Sequence, residues 1–125
     1  MRVARFYEST IGKKAIMAVT GLILFGFLIA HMLGNLQIFL GASVMNHYAE
    51  TLHGNPPLLW TARTILSISV LLHIWASIQL TSLKKQARPV DYVKRVNVVS
   101  SWASRSMMLS GPVIAAFVIF HLLHL

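Results

Sequence analysis

Three histidines stand where apolar side chains would be expected: His31, His73 and His121, one in each of three long apolar runs. A neutral imidazole in oil still has a donor and an acceptor to satisfy, and an ionisable side chain within a membrane span is by default a candidate functional group. The chain has no cysteine, which removes thiolate-held iron–sulfur clusters, covalent c-type haem attachment and disulfides together. Its acids, Glu8, Glu50 and Asp91, all lie in the flanks of the apolar runs. Imidazole nitrogen is therefore the main donor left for coordination chemistry, with methionine sulfur beside it. Two imidazoles facing each other from different helices suit axial ligation of a b-type haem, whose porphyrin fills the apolar gap between them. Zinc suits the pattern less, because no carboxylate or thiolate assists and two imidazoles are too few.

Which histidines can face each other depends on depth. Counted from one edge of the apolar runs, His31 is ~24 Å from Ala15, His121 is ~21 Å from Met107 and His73 is ~15 Å from Leu83, at ~1.5 Å per helical residue. His31 and His121 come out nearly level, and His73 lies ~6–9 Å nearer that edge. The other reading of each histidine is a hydrogen bond to a backbone carbonyl or a serine within a packed bundle. His73 has Ser69, Ala76 and Ser77 one turn away on its own helix, a small stripe that leaves room beside the ring and supplies a hydroxyl to orient it.

The elements that must position these residues are membrane helices. The chain has 125 residues, 56% hydrophobic and 11% charged, with mean hydropathy +0.68, outside the range of an ordinary soluble domain. Apolar runs cover about 15–40, 58–83 and 107–125, and ~20 apolar residues suffice to cross the ~30 Å hydrocarbon core. The expectation is one all-α membrane domain, residues 1–125, with three spanning helices. The first run continues through Asn35 and Gln37 without a small-residue cleavage site, so it reads as a permanent span and not a signal peptide.

The net charge of +8 would suit nucleic acid, but its distribution points to a membrane. Arg2, Arg5, Lys13 and Lys14 precede the first run, and Lys84, Lys85, Arg88, Lys94, Arg95 and Arg105 lie between the second and third. The segment 41–57 has no Lys or Arg at all. Basic residues in short flanks mark the cytoplasmic side, which puts the N-terminus and the 84–105 loop inside, and the 41–57 loop outside.

Local signals fill in the rest. Ser9 or Thr10 can cap the first helix, and Gly26, Ala30 and Gly34 recur at every fourth position. That stripe is either a seam for close helix packing or a flat wall for a large planar group. An amphipathic piece at Val44–Leu52 carries His47, which with His53 reads as interfacial. Trp60 anchors the start of the second span, Arg63 snorkels, and Gly111-Pro112 predicts a bend in the third. Glu50, the acid of the outer loop, is a candidate for proton uptake by a quinone.

Several stretches resemble a known family: STIGKKAIMAVTGLILFGFLIAHMLGNLQIFLG (9–41), HYAETLH (47–53), LLHIWASIQLT (71–81), ARPVDY (87–92) and ASRSMMLSG with HLLHL (103–125). Together they are similar to the cytochrome b membrane subunit of bacterial succinate dehydrogenase or fumarate reductase, of the five-helix, di-haem type. The resemblance implies antiparallel membrane helices, with a distal haem held by helices one and three and a proximal haem by helices two and four. It assigns His31 and His121 to the distal haem, the pair the depth count gives, and His73 to the proximal one. It also implies two further spans, the first carrying the second proximal ligand, so the sequence is expected to be a fragment or to meet a second chain.

By the same resemblance, flavoprotein and iron–sulfur subunits dock on the basic cytoplasmic face. Electrons pass by way of the haems to a quinone such as menaquinone, and the chain is a non-catalytic electron-transfer subunit of a bacterial inner-membrane complex. Ser9, Trp102 and Arg105, polar groups at the inner interface, are candidates for proximal haem propionates. Two other classes remain open. One is a haem-free anchor that binds only quinone and the soluble subunits. The other is a small multispan transporter or assembly factor with a histidine proton path, which would call for an acid within a span.

Overall fold

The computed structural model describes residues 2–124, and every regular element among them is helical. The helices are α1 (Arg2–Glu8), α2 (Thr10–Asn35), α3 (Ala42–His53), α4 (Pro56–Ala87), α5 (Trp102–Arg105) and α6 (Met107–Leu123), with a 3₁₀ turn at Leu36–Leu40 closing α2. The chain forms two compact units, Met1–Pro89 and Val90–Leu125. Two stretches, Thr10–Leu40 and Pro56–Ala87, are long and apolar enough to cross a membrane; Met107–Leu123 is a shorter apolar helix.

In the first unit, α2 and α4 form the main helix pair. Its contact face is small and polar: Thr20, Ser69 and Ala76 are buried, while Leu22, Phe25, Leu71 and Trp75 point outward and are exposed. A soluble helix pair would bury its large apolar residues. This one turns them outward and packs on small side chains, as helices do when the surroundings are as apolar as leucine and close approach supplies the association energy.

Helix ends follow from their capping residues. The Ser9 hydroxyl accepts from the Gly12 N–H at 2.9 Å and donates to the Phe6 carbonyl at 2.6 Å, so one side chain closes α1 and opens α2. Of the two caps the sequence offers, Ser9 is the one used. Lys13 folds back and donates to the carbonyls of Tyr7 and Glu8 at 3.2 and 2.9 Å, over the Tyr7 ring. It thereby satisfies the orphan carbonyls at the C-terminal end of α1, and it is 8% exposed. At α4, Asn55 accepts from the Leu58 N–H at 3.4 Å and Pro56 and Pro57 fill the first turn, where a missing N–H costs nothing. Arg63 lies 5.0 Å from the Trp60 ring.

Between the two long helices the chain reverses at Gly41, whose φ of +110° and ψ of 159° belong to a region essentially reserved for glycine. Helix α3 then lies back over the C-terminal end of α2: Tyr48 fits against Gly34, where a Cβ would stand 2.8 Å from its hydroxyl.

In the second unit, Ser101 caps α5, accepting from the Ser104 N–H at 3.2 Å. Helix α6 follows, and Pro112 lies inside it without ending it.

Candidate functional site

The best-defined polar contact between helices involves His73. Its Nδ1 lies 3.0 Å from the Thr20 hydroxyl, which is also 2.7 Å from the Ile16 carbonyl and 3.2 Å from that of Met17. The ring packs against the backbone of the next residue, Gly21: a Cβ there would be 3.3 Å from His73 Cε1 and 3.7 Å from Nδ1. A threonine and a glycine in succession on α2 thus make a socket for one edge of the imidazole. The orienting hydroxyl comes from the facing helix. Ser77, which the sequence offers for that role, gives its hydroxyl to the Ile74 carbonyl at 2.8 Å.

This contact revises the depths. It places His73 level with Thr20, which is eleven residues before His31 and so ~16 Å away along α2, not ~6–9 Å. The cause lies at the start of the first span. Counting from Ala15 and back from Leu83 takes those two residues as level, whereas an antiparallel register with Thr20 opposite His73 sets Leu83 opposite Thr10, the first residue of α2. Lys13 and Gln79 border one cavity of about 310 Å³, in line with the same antiparallel register. Among the described residues, the Gln79 side-chain oxygen is the one buried polar side-chain atom without a hydrogen-bond partner.

His31 stacks on Phe27 one turn earlier, with ring centroids 5.2 Å apart. His121 stacks on Phe117 at 5.7 Å and His124 on Phe120 at 5.3 Å. His31 belongs to the first unit and His121 to the second, each held against an aromatic ring of its own helix. Among the described residues, no three of the His, Asp and Glu side chains gather as a metal-binding group. A haem asks for less, since the porphyrin supplies four nitrogens and the protein one or two axial donors. A ring anchored through Nδ1, as His73 is, leaves Nε2 for that purpose, and the donor chemistry fits the group.

The remaining candidates are dispersed. Ser9 is engaged in the α1–α2 corner. Trp102 is exposed at the first position of α5 and Arg105 occupies its last. Glu50 is exposed on α3, whose His53 donates through Nδ1 to the Ala49 carbonyl at 2.8 Å. Beside it, Gln37, Ser43, Val44, His47, Tyr48 and Thr51 surround an open cavity of about 400 Å³. The sequence reading passed over Thr20, Gly21 and Tyr48. A threonine–glycine pair in mid-span was the available signal for the first two, because polar and small residues mark helix interfaces in membranes. No protein-family model, curated protein or solved structure matches the chain.

Proposed function

We propose that the chain is the haem b-binding membrane anchor of a succinate dehydrogenase or fumarate reductase-type complex, passing electrons between an iron–sulfur subunit and the quinone pool. The observation that carries this reading is the placement of two histidines at well-separated heights on one helix pair. His73 is fixed at the level of Thr20 and His31 lies ~16 Å further along α2, about three helical turns away. In this reading His73 serves the proximal haem and His31, with His121, the distal one. The helices α2, α4 and α6 cross a bacterial inner membrane with the N-terminus in the cytoplasm, as the basic flanks favour. The soluble flavoprotein and iron–sulfur subunits meet that basic face. Bound haem would supply reversible one-electron chemistry; the chain's own residues hold it, exclude water and separate the two sites.

The test is a reduced-minus-oxidised optical spectrum of the purified complex with haem quantified per chain, repeated for His31→Ala, His121→Ala and His73→Ala. The expected result is a b-type α-band, reduced by the same component in His31→Ala and His121→Ala and by a different one in His73→Ala. A complex that contains the chain but no haem would overturn the reading. It would leave the haem-free anchor, which the Thr20–His73 hydrogen bond also favours because it satisfies one ring nitrogen without iron.

A further inference from the structure

The Thr20 hydroxyl has one hydrogen to give and lone pairs to receive with. Two of its neighbours, the Ile16 and Met17 carbonyl oxygens, can only accept, and the Ile16 contact is the shortest of the three at 2.7 Å. With its hydrogen on Ile16, the hydroxyl can meet His73 Nδ1 at 3.0 Å only as an acceptor. Nδ1 must then carry the proton and Nε2 the lone pair. Gly21 completes the constraint, since the absence of a Cβ lets the Nδ1–Cε1 edge of the ring lie against α2.

We propose that Thr20 is the positioning residue for His73, accepting the Nδ1–H hydrogen bond and thereby fixing the tautomer whose Nε2 lone pair serves as axial donor to haem iron. The ligand role rests on the function proposed above; the tautomer does not. Such an outer partner fixes ring orientation and raises the basicity of the coordinating nitrogen. The acceptor reaches across from a different helix, so the ligand on α4 is oriented by α2, and the register of the helix pair sets the ligand geometry.

Two measurements test this separately. Nitrogen-15 NMR of the histidine-labelled full chain in lipid nanodiscs, prepared without haem, reads the tautomer directly. The expected spectrum has His73 protonated at Nδ1 with a bare Nε2, retained in Thr20→Ser and changed to a tautomer mixture or to the Nε2–H form in Thr20→Val. A wild-type His73 protonated at Nε2, or a Thr20→Val spectrum identical to wild type, would overturn the proposal. In the haem-loaded complex, Thr20→Val should loosen the haem at His73 by roughly tenfold, the lower end of what losing such a partner costs. It should also raise that haem's midpoint potential, because a less basic imidazole stabilises ferric iron less, and Thr20→Ser should restore both. Retention and potential unchanged in Thr20→Val would refute the positioning role while leaving the haem reading intact. A haem-free complex would remove the haem reading, and the tautomer measured in nanodiscs would still decide for or against Thr20.

Discussion

Two glycines on α2, five residues apart, have opposite surroundings. Gly21 is covered by the His73 imidazole, and a Cβ there would enter a contact of 3.3 Å. Gly26, little more than a turn further on, has nothing within 4 Å of where its Cβ would be. Glycine in a helix interior weakens the helix by about 1 kcal/mol relative to alanine. At Gly21 that cost is offset by a close helix–ring contact and a cross-helix hydrogen bond. At Gly26 the contacts within the chain offset nothing. The first position is accounted for by contacts within the chain, and the second is not. The comparison separates what the α2–α4 pair needs to exist from what it leaves open for use.

Substitutions that fill these positions should break the contrast. Gly21→Leu should have the largest effect: the side chain would displace His73 and force α2 and α4 apart, costing about 3 kcal/mol, the upper range for overpacking. Thermal unfolding in detergent would register the loss, and mobility of a spin label at Ser69 would show the seam opening. A thermal midpoint equal to wild type would mean that the ring can move away freely. Gly41→Ala comes next, at about 2 kcal/mol, because its φ of +110° lies where a side chain is strained. Its effect should stay in the turn between α2 and α3, read as faster hydrogen exchange around Tyr48 with the Thr20–His73 contact unchanged. Equal loss at both places would mean that the turn and the helix pair unfold as one.

How much of this was legible in the sequence depends on which force placed each residue. The two long helices and the cap at Ser9 follow from apolar run length and local hydrogen bonding, and both can be read along the chain. Span ends were harder. Lys13 and Lys14 look like the polar edge of the first apolar run, but the helix capped at Ser9 passes through them, and the Lys13 ammonium is satisfied by carbonyls of α1. Taking Ala15 and not Thr10 as level with Leu83 shifted the expected height of His31 above His73 by about 8 Å, or five residues of helix. The partner of His73 was also hidden. Ser69 and Ser77 are near in sequence, whereas Thr20 is 53 residues away, and only the register of the helix pair brings it to the ring. Along the Gly26, Ala30 and Gly34 stripe, Gly34 receives Tyr48, and Gly26 has nothing within 4 Å of where its Cβ would be.

The smallest expected effect is the most discriminating. Gly26→Ala adds one methyl group into open space, so a chain that keeps that face against lipid should be neutral or gain up to about 1 kcal/mol from helix propensity. Thermal unfolding of the haem-free chain in detergent should show that small gain, with the Thr20–His73 contact untouched. If a planar macrocycle lies against this face in the assembled complex, the same methyl occupies its place. The substitution would then lower haem content while leaving the haem-free chain as stable or more so. A gain in both preparations would make Gly26 a position without a role in cofactor binding, and the open face would belong to lipid. A loss in the assembled complex alone would show that the space beside Gly26 is reserved for what the complex binds, because no contact within the chain could be responsible.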